Sequence, residues 1–298
     1  MTPDWLPNLF ICGVPKAGTS SLHRWLSDHP DAFGALDKEA RFFMDPGGHI
    51  HRPDFNIANG LEGYRSQFPI PRGAAPRVIL DSTPAYIYQQ TALDHLPELP
   101  GQPRCIFVLR EPASQILSLF NYFQNNWSWI PAGMGFGDYL RAIEDGSHDF
   151  SGNELARDAL TNAAYVDFLR PWRDRLGKGR MFVCTFDELR RDAPALTRRI
   201  AQWAGLDPSF YDSHDFASEN ESYVPRSRGL QNLNIALRER LPKGVLYRGL
   251  RGVYRRLNTT RPPAQPDPDQ HLARLRDRFA PANAALAAEF GLDLSGWG

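Results

Sequence analysis

One segment near the start of the chain has the residue types that bind a phosphate group. It reads Gly-Val-Pro-Lys-Ala-Gly-Thr-Ser-Ser-Leu and covers residues 13–22. An apolar run precedes it and apolar residues at helical spacing follow it, which predicts a loop between a strand and a helix. Backbone amides at a helix N-terminus attract anions. The predicted phosphate-binding residues are Lys16, Ala17, Gly18, Thr19, Ser20 and Ser21. The alternative is a serine-capped turn with a solvated lysine.

The order of residues in this segment differs from that of a Walker A loop. In Walker A the lysine directly follows the second glycine and precedes a serine or threonine that binds magnesium. Here Lys16 precedes Gly18. The segment therefore argues against a nucleotide or small-molecule kinase of the P-loop type, which stays open as an alternative.

A second candidate phosphate site lies in the run Cys-Ile-Phe-Val-Leu-Arg-Glu-Pro-Ala-Ser-Gln-Ile-Leu-Ser at 105–118. Arg110 would close a buried strand, Pro112 fits the first turn of a helix, and Ser118 would lie about two turns along it. A guanidinium and a hydroxyl placed in this way could hold one phosphate. Taken alone, the two residues are more often a surface arginine and a serine bonded within its own helix.

Together, the two segments resemble the signatures of the sulfotransferases, enzymes that use 3′-phosphoadenosine 5′-phosphosulfate (PAPS). The resemblance implies that residues 13–22 hold the 5′-phosphosulfate and that Arg110 and Ser118 bind the 3′-phosphate. Adenosine 3′,5′-bisphosphate would be the product. We expect no metal, because Lys16 would stand where a cation is needed and no His, Cys or Asp cluster has ligand spacing.

The stretch Asp-Lys-Glu-Ala-Arg-Phe-Phe-Met-Asp at 37–45 resembles the K-E-x-x-F-F stretch of the carbohydrate and heparan-type branch of this family. The glutamate is the proposed general base in that branch, and Glu39 is the matching residue, so Lys16 and Glu39 are the predicted catalytic pair. Arg41 stands where a histidine is common in that branch. The alternative is that Glu39 is an exposed carboxylate paired with Lys38 or Arg41.

Two further segments resemble parts of the family. The run Leu-Asp-Ser-Thr-Pro-Ala-Tyr at 80–86 is similar to an E-K-S-x-x-Y segment, but Ser82 replaces the lysine of heparan-modifying members. Asp81 and Tyr86 either line an acceptor cleft or are structural. The run at 220–228 is similar to a bacterial loop that closes over the nucleotide, with Arg226 as the candidate clamp; the alternative is a basic solvated loop.

The elements that must position these residues form an alternating pattern. Short apolar runs at 9–14, 78–80, 105–109 and 181–184 are each followed by helical stretches. This pattern predicts a parallel sheet flanked by helices, with ligands at the carboxyl ends of its strands. We expect an α/β, P-loop-like sulfotransferase fold in one domain, 1–298. Apolar residues at helical spacing over 272–286 predict a closing helix before Gly291.

Composition limits the classes of partner. The 298 residues include 34 basic and 34 acidic ones, so no overall field points to nucleic acid, a membrane surface or a highly sulfated polyanion. The three cysteines, Cys12, Cys105 and Cys184, lie in apolar runs, which predicts buried thiols in a reducing compartment. No apolar run approaches the ~20 residues of a membrane span, and no signal peptide is recognisable. These features favour a cytoplasmic protein, and an excess of arginine over lysine hints at a bacterial one.

The predicted activity is transfer of a sulfuryl group from PAPS to a hydroxyl of a glycan, lipid or secondary metabolite. An amine acceptor is chemically open as well. A non-catalytic nucleotide-binding or scaffold protein is the other alternative. Such a protein would keep Lys16 and Arg110 but would not need Glu39. Net charge and Ser82 both argue against a heparan-like acceptor.

Overall fold

The computed structural model of the protein describes residues 4–217, 224–225, 259–260 and 268–298. Its centre is a sheet of five parallel strands in the order β2-β3-β1-β4-β5. The strands are β1 (Leu9–Gly13), β2 (Ala32–Gly34), β3 (Val78–Asp81), β4 (Arg104–Leu109) and β5 (Met181–Thr185). Because β3 and β4 lie on opposite sides of β1, the carboxyl ends of these three parallel strands are neighbours.

Helices follow the strands and cover the sheet. They are α1 (Thr19–Ser27), α2 (Gln90–His95), α3 (Pro112–Tyr122), α4 (Phe136–Asp145), α5 (Glu154–Arg157), α6 (Ala159–Asn162), α7 (Tyr165–Leu176), α8 (Phe186–Arg191), α9 (Ala193–Ala204) and α10 (Pro268–Phe290). The described part also contains an antiparallel pair, β6 (Val224–Pro225) and β7 (Thr259–Thr260). Short 3₁₀ turns, among them Glu62–Gln67 and Pro84–Tyr88, connect several of these elements.

Local sequence explains where the helices beside the site begin. Gly18 precedes α1 with a φ of 79°, a left-handed conformation that glycine adopts without strain. At the start of α3, the Glu111 carboxylate accepts hydrogen bonds from the amides of Ala113 and Ser114, and Pro112 occupies the first turn, where its missing N–H costs nothing. These caps fix each helix directly after its strand.

The predicted architecture is confirmed. The four apolar runs are β1, β3, β4 and β5, with boundaries that differ by a residue or two. The edge strand β2 was not predicted, because its three residues are only half-buried and too few to show a pattern. The cysteines are free and buried, as expected.

The helix α10 closes the fold. It packs on α3, α7 and α4, and buries Leu275, Phe279 and Leu286. Its Glu289 carboxylate pairs with Arg170 of α7 at 2.6 Å. None of the helices in the described ranges combines the length and the apolar character needed to cross a membrane.

Candidate functional site

The candidate site lies at the carboxyl ends of the three central strands. The loop after β1 carries Lys16, the segment after β4 begins at Arg110, and β3 ends at Asp81. The segment at 37–45 is attached here, because the Ser82 amide donates a hydrogen bond to the Lys38 carbonyl at 3.2 Å. Open α/β sheets bind their ligands at such a position.

The loop after β1 is held tightly against the protein. The Val14 amide bonds the Val108 carbonyl at 2.8 Å, and Lys16 has a φ of 69°. A Cβ on Gly18 would lie 2.6 Å from Leu189 and 3.0 Å from Phe186, so only glycine fits. The loop leads into Thr19, Ser20 and Ser21, the first turn of α1. Amides of a first helical turn have no acceptor inside the helix and are available to an anion.

Arg110 reaches this loop. Its Nη1 donates a hydrogen bond to the Lys16 carbonyl at 2.9 Å, and its guanidinium carbon lies 5.0 Å from the centre of the Phe186 ring. The same ring packs against Gly18, so one side chain supports both the loop and the arginine. Ser118 is half-buried in α3. No bond joins Arg110 and Ser118, both of which the structure describes.

The charges at the loop repel one another. Burial, followed by the nearby positive charges of Arg110 and Lys38, lowers the pKa of Lys16 to about 8. Its ammonium lies 4.1 Å from the centre of the Tyr122 ring, a favourable cation–π distance. Burial also lowers the pKa of Arg110. Two crowded cations at a helix N-terminus would gain stability from a bound anion.

Glu39 lies between two positive side chains. Its Oε1 is 3.2 Å from Lys38 Nζ, and its Oε2 is 3.2 Å from Arg41 Nη2. Burial opposes the charged carboxylate, but these two cations outweigh it and hold the pKa of Glu39 below its usual value. The structure thus contains the ion pairs of Glu39 with Lys38 and Arg41 that were the alternative to a catalytic role. Pairing also keeps the carboxylate ionised at neutral pH, as a general base requires.

Sequence reasoning missed His23. Its Nδ1 lies 2.7 Å from Ser82 Oγ. Ser82 is the residue that replaces the lysine of the E-K-S-x-x-Y segment. Burial and then the Lys38 charge lower the pKa of His23 to about 3, so its ring is neutral. A half-buried histidine in a predicted helix gives no signal of this contact in the sequence.

Asp81 and Tyr86 do not line a cleft. Both are fully buried, so the cleft interpretation is wrong and the structural one is correct. The physical reason is that Asp81 is still part of β3 and points into a cluster of hydroxyl groups described below. Arg226, the candidate clamp, lies outside the described residues.

A cavity of about 350 Å³ opens next to the 37–45 segment. Its polar lining includes Asp45, Gln89, Glu154 and Asp158, with Arg157 as its positive residue. The Arg157 guanidinium already pairs with Asp158 at 2.7 Å. Across the described residues, no group of three or more His, Cys, Asp and Glu side chains is arranged to hold a metal ion.

Sequence comparison finds relatives among the heparan sulfate sulfotransferases. Heparan sulfate glucosamine 3-O-sulfotransferase 3B1 of Mus musculus is 24% identical over 220 residues, which are 73% of this chain and 51% of that protein. The bifunctional heparan sulfate N-deacetylase/N-sulfotransferase 1 of Caenorhabditis elegans is 26% identical over 215 residues, 70% of this chain and 23% of that one. The chain thus spans about half or less of these relatives.

A solved structure covers the whole fold. The sulfotransferase from Alicyclobacillus acidocaldarius superimposes with a TM-score of 0.67 at 22% identity, covering 98% of each chain. This likeness confirms the predicted sulfotransferase fold. The model of the sulfotransferase domain family matches residues 6–226, which include the Lys16 loop, Glu39 and Arg110. Because that match takes in most of the chain, the protein belongs to the sulfotransferase family.

Proposed function

We propose that the protein transfers a sulfuryl group from PAPS to a hydroxyl group of a glycan, lipid or secondary-metabolite acceptor. The observation that carries this proposal is the meeting of Lys16, Arg110 and the first turn of α1 at one point. Glu39 lies close enough for its charge to affect the Lys16 ammonium. An anion site and an ionised carboxylate beside it are what sulfuryl transfer to a hydroxyl needs.

The donor would be held at its two charged ends. The 5′-phosphosulfate would lie on the α1 N-terminus, with Lys16 and the hydroxyls of Thr19 and Ser20 as donors. Arg110 and Ser118 would take the 3′-phosphate. The proposed domain is the whole of 1–298, since α10 packs directly on α3, the helix that carries Ser118.

The reaction would proceed by direct displacement at sulfur. The acceptor oxygen forms a bond to sulfur, the bond from sulfur to the phosphate oxygen breaks, and its electron pair leaves with adenosine 3′,5′-bisphosphate. The hydroxyl proton passes to Glu39. Negative charge grows on the phosphate oxygens during this step, where Lys16 and the helix amides stabilise it. Positioning and charge stabilisation supply most of the rate gain, as in phosphoryl transfer.

The acceptor differs from the heparan sulfate named for the curated relatives. Ser82 has no positive charge, and its hydroxyl group is hydrogen-bonded to the His23 ring. The cavity beside the 37–45 segment is lined by three carboxylates and one arginine, which pairs with one of them. Such a lining repels a polyanion and suits hydroxyl-rich or amine-bearing groups. These features support a hydroxyl-rich or amine-bearing acceptor over a polyanion.

Calorimetry with nucleotides tests the donor site without an acceptor. Wild-type protein in EDTA should bind adenosine 3′,5′-bisphosphate about 10- to 150-fold more tightly than ADP, because a charge-assisted contact contributes ~1.5–3 kcal/mol. Arg110→Ala should erase most of this preference. Its bond to the Lys16 carbonyl predicts some loss of ADP affinity too, so the ratio of the two affinities is diagnostic. Arg110→Lys keeps the positive charge but loses the paired N–H donors of the guanidinium. Its preference for the bisphosphate over ADP should therefore lie between those of the wild type and Arg110→Ala.

The acceptor can be found by incubating the protein with ³⁵S-labelled PAPS and fractionated extract of the source organism. Labelled product should appear in a fraction and be absent with Glu39→Gln. Mass spectrometry would show the added sulfate. Tighter magnesium-dependent binding of ATP than of the bisphosphate would support the kinase alternative instead.

A further inference from the structure

The backbone that follows Glu39 is held in an unusual way. Four successive amides, from residue 40 to residue 43, donate hydrogen bonds to side chains at the end of β3 and in the turn after it. The Arg41 amide bonds Thr83 Oγ1 at 3.1 Å. The Phe42 and Phe43 amides bond Tyr86 Oη at 2.9 and 3.4 Å, and the Ala40 amide bonds the Asp81 carboxylate.

Asp81 is the centre of this cluster. Its Oδ1 accepts a hydrogen bond from Thr83 Oγ1 at 3.0 Å, and its Oδ2 accepts from Tyr86 Oη at 3.0 Å. Tyr64 Oη donates to the same Oδ2 at 2.6 Å. The carboxylate is fully buried. Each of its partners is therefore a donor, and two of them pass the hydrogen bonding on to the backbone at 41–43.

We propose that the buried Asp81 carboxylate is a positioning residue for Glu39, acting through Thr83 and Tyr86 on the backbone of residues 40–43. The proposal rests on the proposed function, in which Glu39 is the general base. Arg41, one of the two cations paired with Glu39, has a φ of 59°. The cluster bonds the amide of that residue directly, so it fixes the turn from which the ion pair is built.

Only the ionised form of Asp81 fits its surroundings. A protonated carboxyl would bring a further donor into a group of donors, and one hydroxyl hydrogen would lose its acceptor. Burial raises the pKa of Asp81 to about 6, although the hydrogen bonds from Tyr64, Tyr86 and Thr83 oppose the rise. The other titratable groups facing it are Tyr64, Tyr86 and Cys12, whose pKa values burial also raises, so they stay uncharged.

This arrangement predicts that protonation of Asp81 causes the loss of activity at acidic pH. Glu39 has a pKa held below its usual value, so it stays ionised at pH 5 to 6. The fall of kcat on the acid side should therefore centre near pH 6, where Asp81 takes up a proton. Protection of the amides at 40–43 against hydrogen exchange, corrected for intrinsic rates, should fall in the same range.

Two tyrosines give a matched pair of variants. Both donate to Asp81 Oδ2 and both are fully buried, but only Tyr86 also accepts from the amides at 42 and 43. Tyr86→Phe should lower kcat about 10- to 100-fold, since small misplacement of a reacting group has effects of this size. The KM for PAPS should change less than about twofold. Tyr64→Phe should keep most of kcat, because its bond does not reach the backbone.

The assay is transfer of labelled sulfate from PAPS to the acceptor fraction found above, with hydrogen exchange at 40–43 measured on the same proteins. Equal loss of kcat in Tyr64→Phe and Tyr86→Phe would show a general structural role and overturn the proposal. So would unchanged kcat in Tyr86→Phe when Glu39→Gln is inactive. Full activity of Glu39→Gln would instead reject the proposed base. Thr83→Val, which removes the other route to the backbone, is an independent variant should Tyr86→Phe fail to fold.

Discussion

Raising the pH from 7 to 9 should weaken the binding of adenosine 3′,5′-bisphosphate about tenfold. The reason is that the pKa of Lys16 is lowered to about 8, first by burial and then by the charges of Arg110 and Lys38. Roughly nine tenths of the protein carries a protonated Lys16 at pH 7, and roughly one tenth does at pH 9. A bound anion favours the protonated form, so binding at high pH must first take up a proton.

Calorimetry at pH 8 in two buffers of different ionisation enthalpy measures this uptake directly. About half a proton should be taken up per nucleotide bound. The phosphates of the ligand, with a second pKa near ~6, are already ionised at this pH and contribute little. Lys16→Arg is the matched control, because its guanidinium does not titrate in this range and its affinity should be flat with pH.

Stability of the free protein should show the opposite trend. An unfolded lysine titrates near 10.5, so the unfolded state binds more protons than the folded state between pH 8 and 10.5. The contribution of Lys16 to stability therefore rises over that window, and the difference between wild type and Lys16→Met in thermal unfolding reports it. Binding that does not change from pH 7 to 9, or an equal pH slope in Lys16→Met, would refute the assignment of Lys16 to the anion.

Two substitutions test neighbouring parts of the site. Glu39→Gln should lower kcat about 10²- to 10⁴-fold, since an amide cannot accept the hydroxyl proton, while calorimetry shows nearly unchanged binding of the bisphosphate; a wild-type rate would make Glu39 a surface ion pair only. Gly18→Ala should weaken nucleotide binding and destabilise the protein by about 2–5 kcal/mol in chemical denaturation, because a left-handed backbone and close contacts with Leu189 and Phe186 add their costs. A change below about 1 kcal/mol would show that the loop adapts instead.

The parts of the fold that the sequence predicts are those with local causes. Buried apolar runs predict β1, β3, β4 and β5. The glycine and hydroxyl residues at 13–22 predict a loop that leads into a helix N-terminus. The Arg110 side chain could be assigned to the same region because parallel strands end together. Its bond to the Lys16 carbonyl could not, since that depends on side-chain geometry across 94 positions of the chain.

The contacts that the sequence does not predict join segments with no common pattern. The Asp81 cluster brings hydroxyl groups at 64, 83 and 86 together with backbone amides at 40–43, and backbone donors are invisible in a sequence. The His23 contact with Ser82 spans 59 positions. The pairing of Glu39 was foreseen as one alternative because its partners are neighbours in the chain, and the structure contains both pairs.

The position of α10 has a consequence for how the protein is made. The last described segment covers α3 and α7, and Trp297 bonds Asp187 of α8 at 2.9 Å. A chain emerging from the ribosome has the proposed donor-site residues between Lys16 and Ser118 long before this cover exists. Until residues 268–297 are released, the apolar surfaces of α3 and α7 that α10 covers stay exposed to water, and the nascent chain presents them to chaperones or to other chains. The contacts of the fold therefore continue past residue 226, where the family match ends, into residues 268–297.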